Sequence, residues 1–283
     1  MTRSIADQRA AFRALHQTGC FVIPNPWDLG SARMLQHLGF SALASSSAGF
    51  AWSIGRADNA VTLDDVLGHL RALVAAVDLP INADFEAGFA REPAGVAHNV
   101  ARAVETGVAG LSIEDRSIEA PTTLYDQDLA VERIRAARAA IDETQTGTIL
   151  VARTEGMLID PSALAPAIDR LVAFAAAGAD CLFAPGVARR DDIATMVRAV
   201  APRPLNVVVS APGLSVAELA DLGVRRISIG GGLARAAYGA ALAVAKQLHA
   251  GSFAGFAGIA PSGELNAIFK KSNDVVRSAG VTR

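Results

Sequence analysis

The chain has 283 residues, of which 51% are hydrophobic, and its 26 basic and 28 acidic side chains give a formal net charge of −2. A (β/α)8 barrel takes about 250 residues, so this length fits one barrel without requiring a second domain. The charge balance lacks the positive excess that drives nonspecific nucleic-acid binding. No stretch reaches the ~18 uncharged apolar residues of a membrane span. We therefore expect a small-molecule partner, with no nucleic acid and no membrane.

The two cysteines, Cys20 and Cys181, each lie in an apolar run typical of a buried strand. This placement indicates core packing rather than disulfide formation or metal ligation. Residues 1–19 carry several charges and have no continuous apolar segment, so they do not resemble a signal peptide. We expect a reduced, cytoplasmic protein.

Eight apolar runs with the length of β-strands alternate with helical patterns along the chain. They lie within residues 20–23, 40–44, 81–89, 110–115, 148–152, 180–184, 205–209 and 226–229. Such alternation predicts a parallel sheet, and the count of eight predicts closure into a barrel. An open doubly wound sheet is the rival fold, but no Gly-x-Gly-x-x-Gly follows the first strand.

Capping residues and small polar residues mark the connections between these strands. Thr62 predicts the N-cap of an amphipathic helix, and Asp160, followed by proline, predicts another N-cap. The second strand runs into residues 45–49, whose small polar side chains let the backbone approach a ligand closely. The connection 116–128 is roughly twice the usual length of 2–6 residues, so we interpret it as a candidate lid.

The predicted fold class is an α/β protein with a (β/α)8 TIM-type barrel and an additional C-terminal helix. Residues 1–250 form the predicted catalytic barrel, and residues 251–283 form a linker and a terminal helix that begins near residue 262. A terminal helix reached through a flexible linker can cover its own barrel or a neighbouring one. We therefore expect a homodimer or homotetramer.

Acidic residues stand where several predicted strands and connections end. Asp84 and Glu86 follow the third strand, Glu114 ends the fourth, and Asp58 precedes the helix that leads to the third. Because strand carboxyl ends share one face of a barrel, we expect these carboxylates to lie close together. Carboxylates without His or Cys suit a hard cation, Mg2+ with Mn2+ as the alternative. Taken singly, each acid is as readily a surface residue or a helix cap.

Arg153 ends the fifth strand beside these acids. We predict that it receives a substrate carboxylate or phosphonate in bidentate fashion. The alternative is a structural ion pair with Glu155 or Glu114. Three glycines at 230–232, followed by Arg235, predict an anion-binding turn after the eighth strand, although glycines there also serve simply to make the turn.

Together these motifs resemble the isocitrate lyase and phosphoenolpyruvate mutase superfamily. The resemblance covers nearly the whole chain and depends on the order and spacing of Ser45, Ser46, Ser47, Asp58, Asp84, Gly88, Glu114, Asp115, Arg153, Asn206 and Glu264. It implies an α/β barrel, a C-terminal helix that is often exchanged between subunits, and Mg2+ that holds an α-oxo acid.

The resemblance also implies roles for individual residues. By position, Asp84 would be a Mg2+ ligand, and Asp58 and Glu114 would hold the metal through water. We add Glu86 as a fourth carboxylate of this predicted site. The predicted substrate contacts are Ser45, Ser46, Ser47, Arg153, Asn206 and Arg235, and the predicted catalytic residues are Asp58, Glu114, Arg153 and, in the long loop, Thr122.

Three departures from the family pattern bear on the reaction. The loop 116–128 contains no cysteine, whereas the lyase branch protonates its departing product with a cysteine in this loop. The sixth strand ends at Ala184 where lyases have a glutamate, and Asn82 stands where many members have an aspartate. The resemblance therefore favours the branch of carboxyphosphonoenolpyruvate phosphonomutase-like proteins, and we do not expect true isocitrate or methylisocitrate lyase activity.

The predicted function is a Mg2+-dependent lyase or phosphonomutase that makes or breaks a C–C or C–P bond in a small α-oxo or phosphono acid. Breaking such a bond next to a carbonyl leaves an enolate, whose developing charge a divalent cation stabilises. Two alternatives remain open: a metal-independent barrel isomerase or aldolase of a phosphosugar, which the triple glycine favours, and a non-catalytic binder of α-oxo acids, which the missing cysteine favours.

Overall fold

The computed structural model describes residues 3–277, of which residues 271–277 are described as backbone helix alone. Within this part of the chain one parallel sheet runs in the order β1-β8-β7-β6-β5-β4-β3-β2. Its strands are β1 (Phe21–Ile23), β2 (Leu43–Ala44), β3 (Ile81–Asp84), β4 (Gly110–Glu114), β5 (Ile149–Arg153), β6 (Cys181–Phe183), β7 (Leu205–Val208) and β8 (Arg226–Ser228).

Hydrogen bonds near the ends of β1 and β2 close this sheet into a barrel. The two strands form no ladder of their own in the described chain. Ala44 N nevertheless donates to Pro24 O at 3.0 Å, and Asn25 Nδ2 donates to Ser45 O at 3.0 Å. With these contacts the eight strands form a nearly closed (β/α)8 barrel, which confirms the predicted fold class and excludes the open doubly wound sheet.

The helices follow the strands around the outside of the barrel. They are α1 (Ile5–Leu15), α2 (Leu29–His37), α3 (Ser47–Ser53), α4 (Leu63–Ala76), α5 (Pro93–Glu105), α6 (Gln127–Glu143), α7 (Gly156–Ile159), α8 (Leu164–Ala176), α9 (Arg190–Val200), α10 (Val216–Asp221), α11 (Gly232–His249) and α12 (Ser262–Arg277). Over residues 3–277, no helix is both long enough and apolar enough to cross a membrane.

Local side-chain hydrogen bonds decide several helix boundaries. Thr62 is the N-cap of α4, as predicted, and forms a capping box with Asp65. The prediction for Asp160 was wrong, because α8 begins only at Leu164. Asp160 instead ends α7 and accepts hydrogen bonds from the backbone N–H and hydroxyl of Ser162. An aspartate that bonds two residues ahead stabilises a turn in place of the first helical turn.

The run 45–49 leads directly into helix α3. Ser46 is the N-cap of α3, and its hydroxyl accepts a hydrogen bond from Gly49 N at 3.2 Å. A serine with an extended backbone at this position satisfies an amide group that the helix itself leaves unpaired. The segment after β2 is therefore the start of a short helix directed at the top of the barrel.

Helix α1 covers the amino-terminal end of the barrel. Its Phe12 is fully buried among residues that point into the barrel, including Ile149 and Cys181. Gly110 is needed at this level, because a Cβ atom there would lie 2.7 Å from the Phe12 ring and 2.8 Å from Asn82 Oδ1. The lower barrel is thus filled with side chains, and open space remains toward the carboxyl ends of the strands.

Candidate active site

The carboxyl ends of β3, β4 and β5 bring Asp84, Glu114 and Arg153 together. Glu114 and Arg153 are register partners, whereas Asp84 pairs with Ser112, two residues before Glu114. The three positions are therefore staggered rather than level. Arg153 Nη1 still lies 3.5 Å from Asp84 Oδ1 and 3.3 Å from Glu114 Oε2. One guanidinium nitrogen bridges two of the predicted metal ligands.

Arg153 is the centre of a wider network of ion pairs. Its Nε donates to Glu155, whose other oxygen accepts from Arg116 Nη2 at 2.7 Å. Asp115 accepts a hydrogen bond from the backbone of Glu155 at 2.9 Å and pairs with Arg170 at 3.1 Å. Burial opposes the charge of Arg153, but its carboxylate partners hold its pKa above the ordinary value. The structural ion pair that we considered as the alternative for Arg153 is present in this conformation.

Two of the three consecutive serines, Ser45 and Ser47, bond to Asp84. Asp84 Oδ2 accepts from Ser47 N at 3.0 Å and from the Ser47 hydroxyl at 2.9 Å. The Ser45 hydroxyl in turn accepts from Asp84 N at 2.9 Å. Ser45 and Ser46 are buried. These contacts fix the Asp84 carboxylate in orientation, and they place the predicted substrate-binding serines directly beside the predicted metal ligand.

Glu86 and Asp58 add negative charge to the same end of the barrel. Burial, together with the carboxylates of Asp84, Glu114 and Asp58, raises the pKa of Glu86 to about 8. Partial desolvation and then the Asp84 carboxylate raise the pKa of Asp58. Burial likewise raises the pKa of Glu114, although Arg153 opposes this effect. Carboxylates this close repel one another, which together with burial favours the protonated form of a carboxyl that no arginine pairs.

Two small cavities flank the bridging guanidinium. One, of about 100 Å³, lies in the barrel mouth, and its lining includes Asp84, Arg153 and Ser45. The other, of about 110 Å³, lies under the β4–α6 loop and is lined by Glu86, Glu114 and loop residues including Ser117. Both volumes are well below the ~300–1,000 Å³ typical of sites for drug-sized ligands. The site therefore suits a short substrate.

Sequence reasoning missed a second arginine in the barrel-mouth cavity. Arg226, on β8, lines this cavity together with Asn82 and Ser228. It is only 3% exposed, and its Nη1 donates to Asn82 Oδ1 at 3.2 Å. The sequence did contain an indication, a charged residue in a strand that is otherwise largely apolar. Arginines are almost never fully buried unless they are paired, so such a position suggests a binding role.

Other predicted site residues lie farther from this centre or face solvent. Asn206 is buried within the barrel, where its Nδ2 donates to Ser228 Oγ at 3.0 Å and its Oδ1 has no partner. Thr122 is exposed in the β4–α6 loop. Arg235 is exposed in the first turn of α11. The predicted roles of these residues stay predictions.

A divalent cation fits the donor set in chemistry and in charge. Oxygen ligands suit Mg2+, and the unpartnered, buried Oε1 of Glu86 reflects an excess of acceptors over donors. However, among the side chains that the structure describes, no three of His, Cys, Asp or Glu are arranged to hold a metal ion in this conformation. Arg153 Nη1 lies 3.5 Å from Asp84 and 3.3 Å from Glu114, so in this conformation a cation of the chain itself pairs with two of the residues that would hold the metal.

Charged side chains around a small cavity at the carboxyl ends of barrel strands are typical of an enzyme active site. The fold and the site thus define a (β/α)8-barrel enzyme. Residues 12–249 match the family model described as phosphoenolpyruvate phosphomutase. The chain belongs to this family, within the phosphoenolpyruvate mutase/isocitrate lyase superfamily.

Several characterised proteins are similar over most of the chain. An oxaloacetate decarboxylase of Rhodopseudomonas palustris is 31% identical over 235 residues, which cover 79% of this chain and 77% of the relative. A 2-methylisocitrate lyase of Escherichia coli is 33% identical over 189 residues, which cover 64% of this chain and 62% of the relative. These relatives support an enzymatic role for the chain.

Solved structures share the whole fold. A Burkholderia cenocepacia J2315 protein, described provisionally as a lyase or mutase, is 46% identical with a TM-score of 0.90, covering 94% of this chain and 97% of its own. A 2,3-dimethylmalate lyase is 27% identical with a TM-score of 0.82, covering 99% of this chain and 100% of its own. The similarity therefore includes the C-terminal helix as well as the barrel.

Proposed function

We propose that the chain is a Mg2+-dependent enzyme that makes or breaks a C–C or C–P bond next to the carbonyl of a small α-oxo or phosphono acid. The observation that carries this proposal is the cluster of Asp84, Glu114 and Arg153 at the mouth of a small polar cavity. Relatives described as an oxaloacetate decarboxylase, a dimethylmalate lyase and an oxaloacetate acetylhydrolase support the substrate class.

The site residues would have two roles, binding of the cation and orientation of the substrate. Asp84, with Glu114, Glu86 and Asp58, would hold the cation, with Mn2+ as the alternative to Mg2+. A bound divalent cation would supply electrostatic stabilisation for the enolate. Arg153, released from its two acids, would orient the substrate carboxylate. Ser45 and Ser47 would keep Asp84 itself in place.

The β4–α6 loop would close the site and exclude water. Arg116 and Leu124 form an antiparallel bridge across its base, and Tyr125 Oη accepts from Ile118 N at 3.1 Å. The loop is therefore held in a defined shape above the cavity that Glu86 and Glu114 line. Because it contains no cysteine, we do not propose the isocitrate lyase reaction, and Thr122 is our proposed polar contact to substrate.

The test is a product screen with oxaloacetate, 2,3-dimethylmalate and phosphonopyruvate, which measures formation of pyruvate, oxalate and phosphoenolpyruvate with Mg2+, with Mn2+ and with EDTA. We expect turnover of at least one acid that EDTA abolishes. Asp84→Ala should remove both turnover and oxalate binding. Asp64→Asn, at an exposed ion pair with Arg102, is the matched control and should behave as wild type.

Turnover that survives EDTA, or unaltered oxalate binding by Asp84→Ala, would refute the metal assignment. Metal-independent cleavage of a phosphosugar would select the isomerase or aldolase alternative instead. Oxalate binding without any product would select the non-catalytic binder.

We also propose a homodimer or homotetramer. Helix α11 carries exposed apolar side chains, among them Leu242, and the following segment exposes Phe253 (76%) and Ile259. Apolar surface of this extent on neighbouring elements usually marks an interface. Light scattering should show an oligomer, and Leu242→Glu should weaken it. Leu38→Glu, at an exposed leucine on another surface, should not.

The reducing cytoplasm is the proposed compartment. Cys20 and Cys181 are both unpaired, and burial raises the pKa of the Cys181 thiol to about 11. A protonated, buried thiol is inert toward oxidation. Neither cysteine forms a disulfide that an oxidising compartment would maintain.

A further inference from the structure

The barrel-mouth cavity is lined by two guanidinium groups with opposite surroundings. Arg153 contacts the carboxylates of Asp84, Glu114 and Glu155. Arg226 contacts none, since no described carboxylate lies within 4.0 Å of its guanidinium nitrogens. Arg226 is therefore the arginine of this cavity whose charge no carboxylate contact neutralises.

The groups around Arg226 cannot supply the missing charge. Its Nη1 bonds to the neutral amide of Asn82, its Nε has no partner, and the Phe12 ring centroid lies 5.9 Å from its Cζ. The nearby Cys181 thiol is protonated at neutral pH, because burial raises its pKa to about 11. Asp84 influences Arg226 from a distance, but its oxygens are bound to Ser47 and Arg153.

A buried cation without a counter-charge is unfavourable in the ligand-free protein. Removing an ammonium- or guanidinium-type ion from water is costly unless a partner charge compensates it. Arg226 is 3% exposed, and its register partner Asn206 is 1% exposed with an unpartnered Oδ1. An arrangement of this kind is typical of a site prepared for a ligand group rather than of a finished core.

We propose that Arg226 receives a second acidic group of the substrate, a carboxylate or phosphonate, at the inner end of the barrel-mouth cavity. This inference rests on the proposed function for the class of acid, and it assigns the residue that receives the second acidic group. The preferred substrate carries two acidic groups on a short chain, one for Arg153 and one for Arg226. The cavity of about 100 Å³ leaves room only for a short chain between them.

The test compares three ligands by calorimetry in the presence of Mg2+: pyruvate, phosphonopyruvate and phosphonoacetate. Pyruvate and phosphonopyruvate differ only by the phosphonate, and phosphonoacetate has two acidic groups without the oxo group. We expect wild type to bind phosphonopyruvate roughly 10- to 100-fold more tightly than pyruvate, the range of a hydrogen bond to a charged group. Arg226→Met should abolish this advantage, and Arg226→Lys should retain part of it.

Arg225→Met is the matched control, because Arg225 is the adjacent residue but bonds to Gly19 O on the outside of the barrel. It should keep the full preference for phosphonopyruvate. Thermal unfolding separates binding from structure: Arg226→Met should be at least as stable as wild type, because it removes an uncompensated buried charge. If Arg226→Met does not fold, Arg226→Gln and Arg226→Lys provide the same comparison.

The outcomes distinguish this inference from the proposed function. Phosphonoacetate binding that depends on Arg226, without turnover of any oxo acid, would support the inference and refute the function. A phosphonopyruvate preference that survives in Arg226→Met and Arg226→Gln would overturn the inference and leave the function standing. Failure of wild type to bind any of the three acids would overturn the inference, whereas the proposed function would still stand or fall by turnover of oxaloacetate and 2,3-dimethylmalate.

Discussion

Glu114 Oε2 lies 3.3 Å from Arg153 Nη1, and the two residues are register partners on adjacent strands. Glu114 is 7% exposed, so its charge has little access to water. Breaking a buried pair by removing one partner is strongly destabilising, because the remaining charge is left uncompensated. The Glu114–Arg153 pair therefore contributes to the stability of the barrel as well as to the candidate active site.

Arg153→Gln should lower the free energy of unfolding by about 3–5 kcal/mol, because Glu114 and Glu155 lose their shared cation. Adding Glu114→Gln should restore part of that loss, which a double-mutant cycle by chemical denaturation measures. Arg190→Gln breaks an exposed pair with Glu218 and should change stability by about 0–1 kcal/mol. Strictly additive single effects would show that the 3.3 Å contact carries no coupling.

Metal binding should release a proton from Glu86. The pKa of this carboxyl is raised to about 8, so at pH 7 most molecules hold the proton, and a nearby divalent cation would expel it. Affinity should therefore rise with pH up to about 8, by at most tenfold per pH unit. Titrating Mg2+ into the protein in buffers of different ionisation enthalpy counts the released protons.

Glu86→Gln should reduce the proton release, and Asp64→Asn should leave it unchanged, because the Asp64 side chain is exposed and paired with Arg102. Equal proton release by wild type and Glu86→Gln would mean that another group titrates on binding.

The fold, and the proximity of Asp84, Glu114 and Arg153, could be predicted from the sequence because they follow from local patterns. Apolar runs that end in acids place Asp84 and Glu114 at strand ends, and the barrel topology then brings them together. The role of Asp160 could not be read in this way, because its side chain bonds to Ser162 two residues ahead and α8 begins only after Ala163. Arg226 was missed because its role depends on contacts across the barrel, to Asn82 on β3, that no local pattern contains.

Arg133 should be the clamp that holds the loop carrying Glu86. Its guanidinium is fully buried and donates to the carbonyls of Ala87, Ala90 and Arg91, and it lies 4.3 Å from the centroid of the Tyr125 ring. Arg133→Met should lower stability by about 3 kcal/mol or more, because carbonyls that receive charged hydrogen bonds lose their donor.

The same change should expose residues 85–91 to proteolysis and weaken Mg2+ binding, although Arg133 touches no predicted ligand side chain. Arg135→Met, two residues along the same helix, removes only an exposed pair with Glu132 and is the matched control. Wild-type protease resistance in Arg133→Met would contradict the clamp.

His16 should make the protein less stable in acid. Its Nδ1 lies 2.8 Å from Phe12 O and therefore carries the proton that it donates, while its buried Nε2 has no partner. Burial, and then the charge of Arg226, lowers the pKa of His16 from 6.5 to about 3. Because the unfolded chain binds the proton more tightly, stability is full above pH 6.5 and falls as the pH drops toward 3, by up to about 1.4 kcal/mol per unit.

His16→Phe should keep the edge contacts to Phe12 and Phe21, whose ring centroids lie 4.7 and 5.2 Å from that of His16, and should remove the titration. At pH 8 the variant should be less stable than wild type by about 1 kcal/mol, because the bond to Phe12 O is lost. Below pH 6.5 this difference in stability should shrink and then reverse. Only wild type loses stability there, because its unfolded chain binds a proton at His16 that the folded protein excludes. Denaturant unfolding from pH 8 to pH 5 measures both curves. Parallel curves would place the acid sensitivity elsewhere, and His98→Gln, at an exposed histidine, should follow wild type throughout.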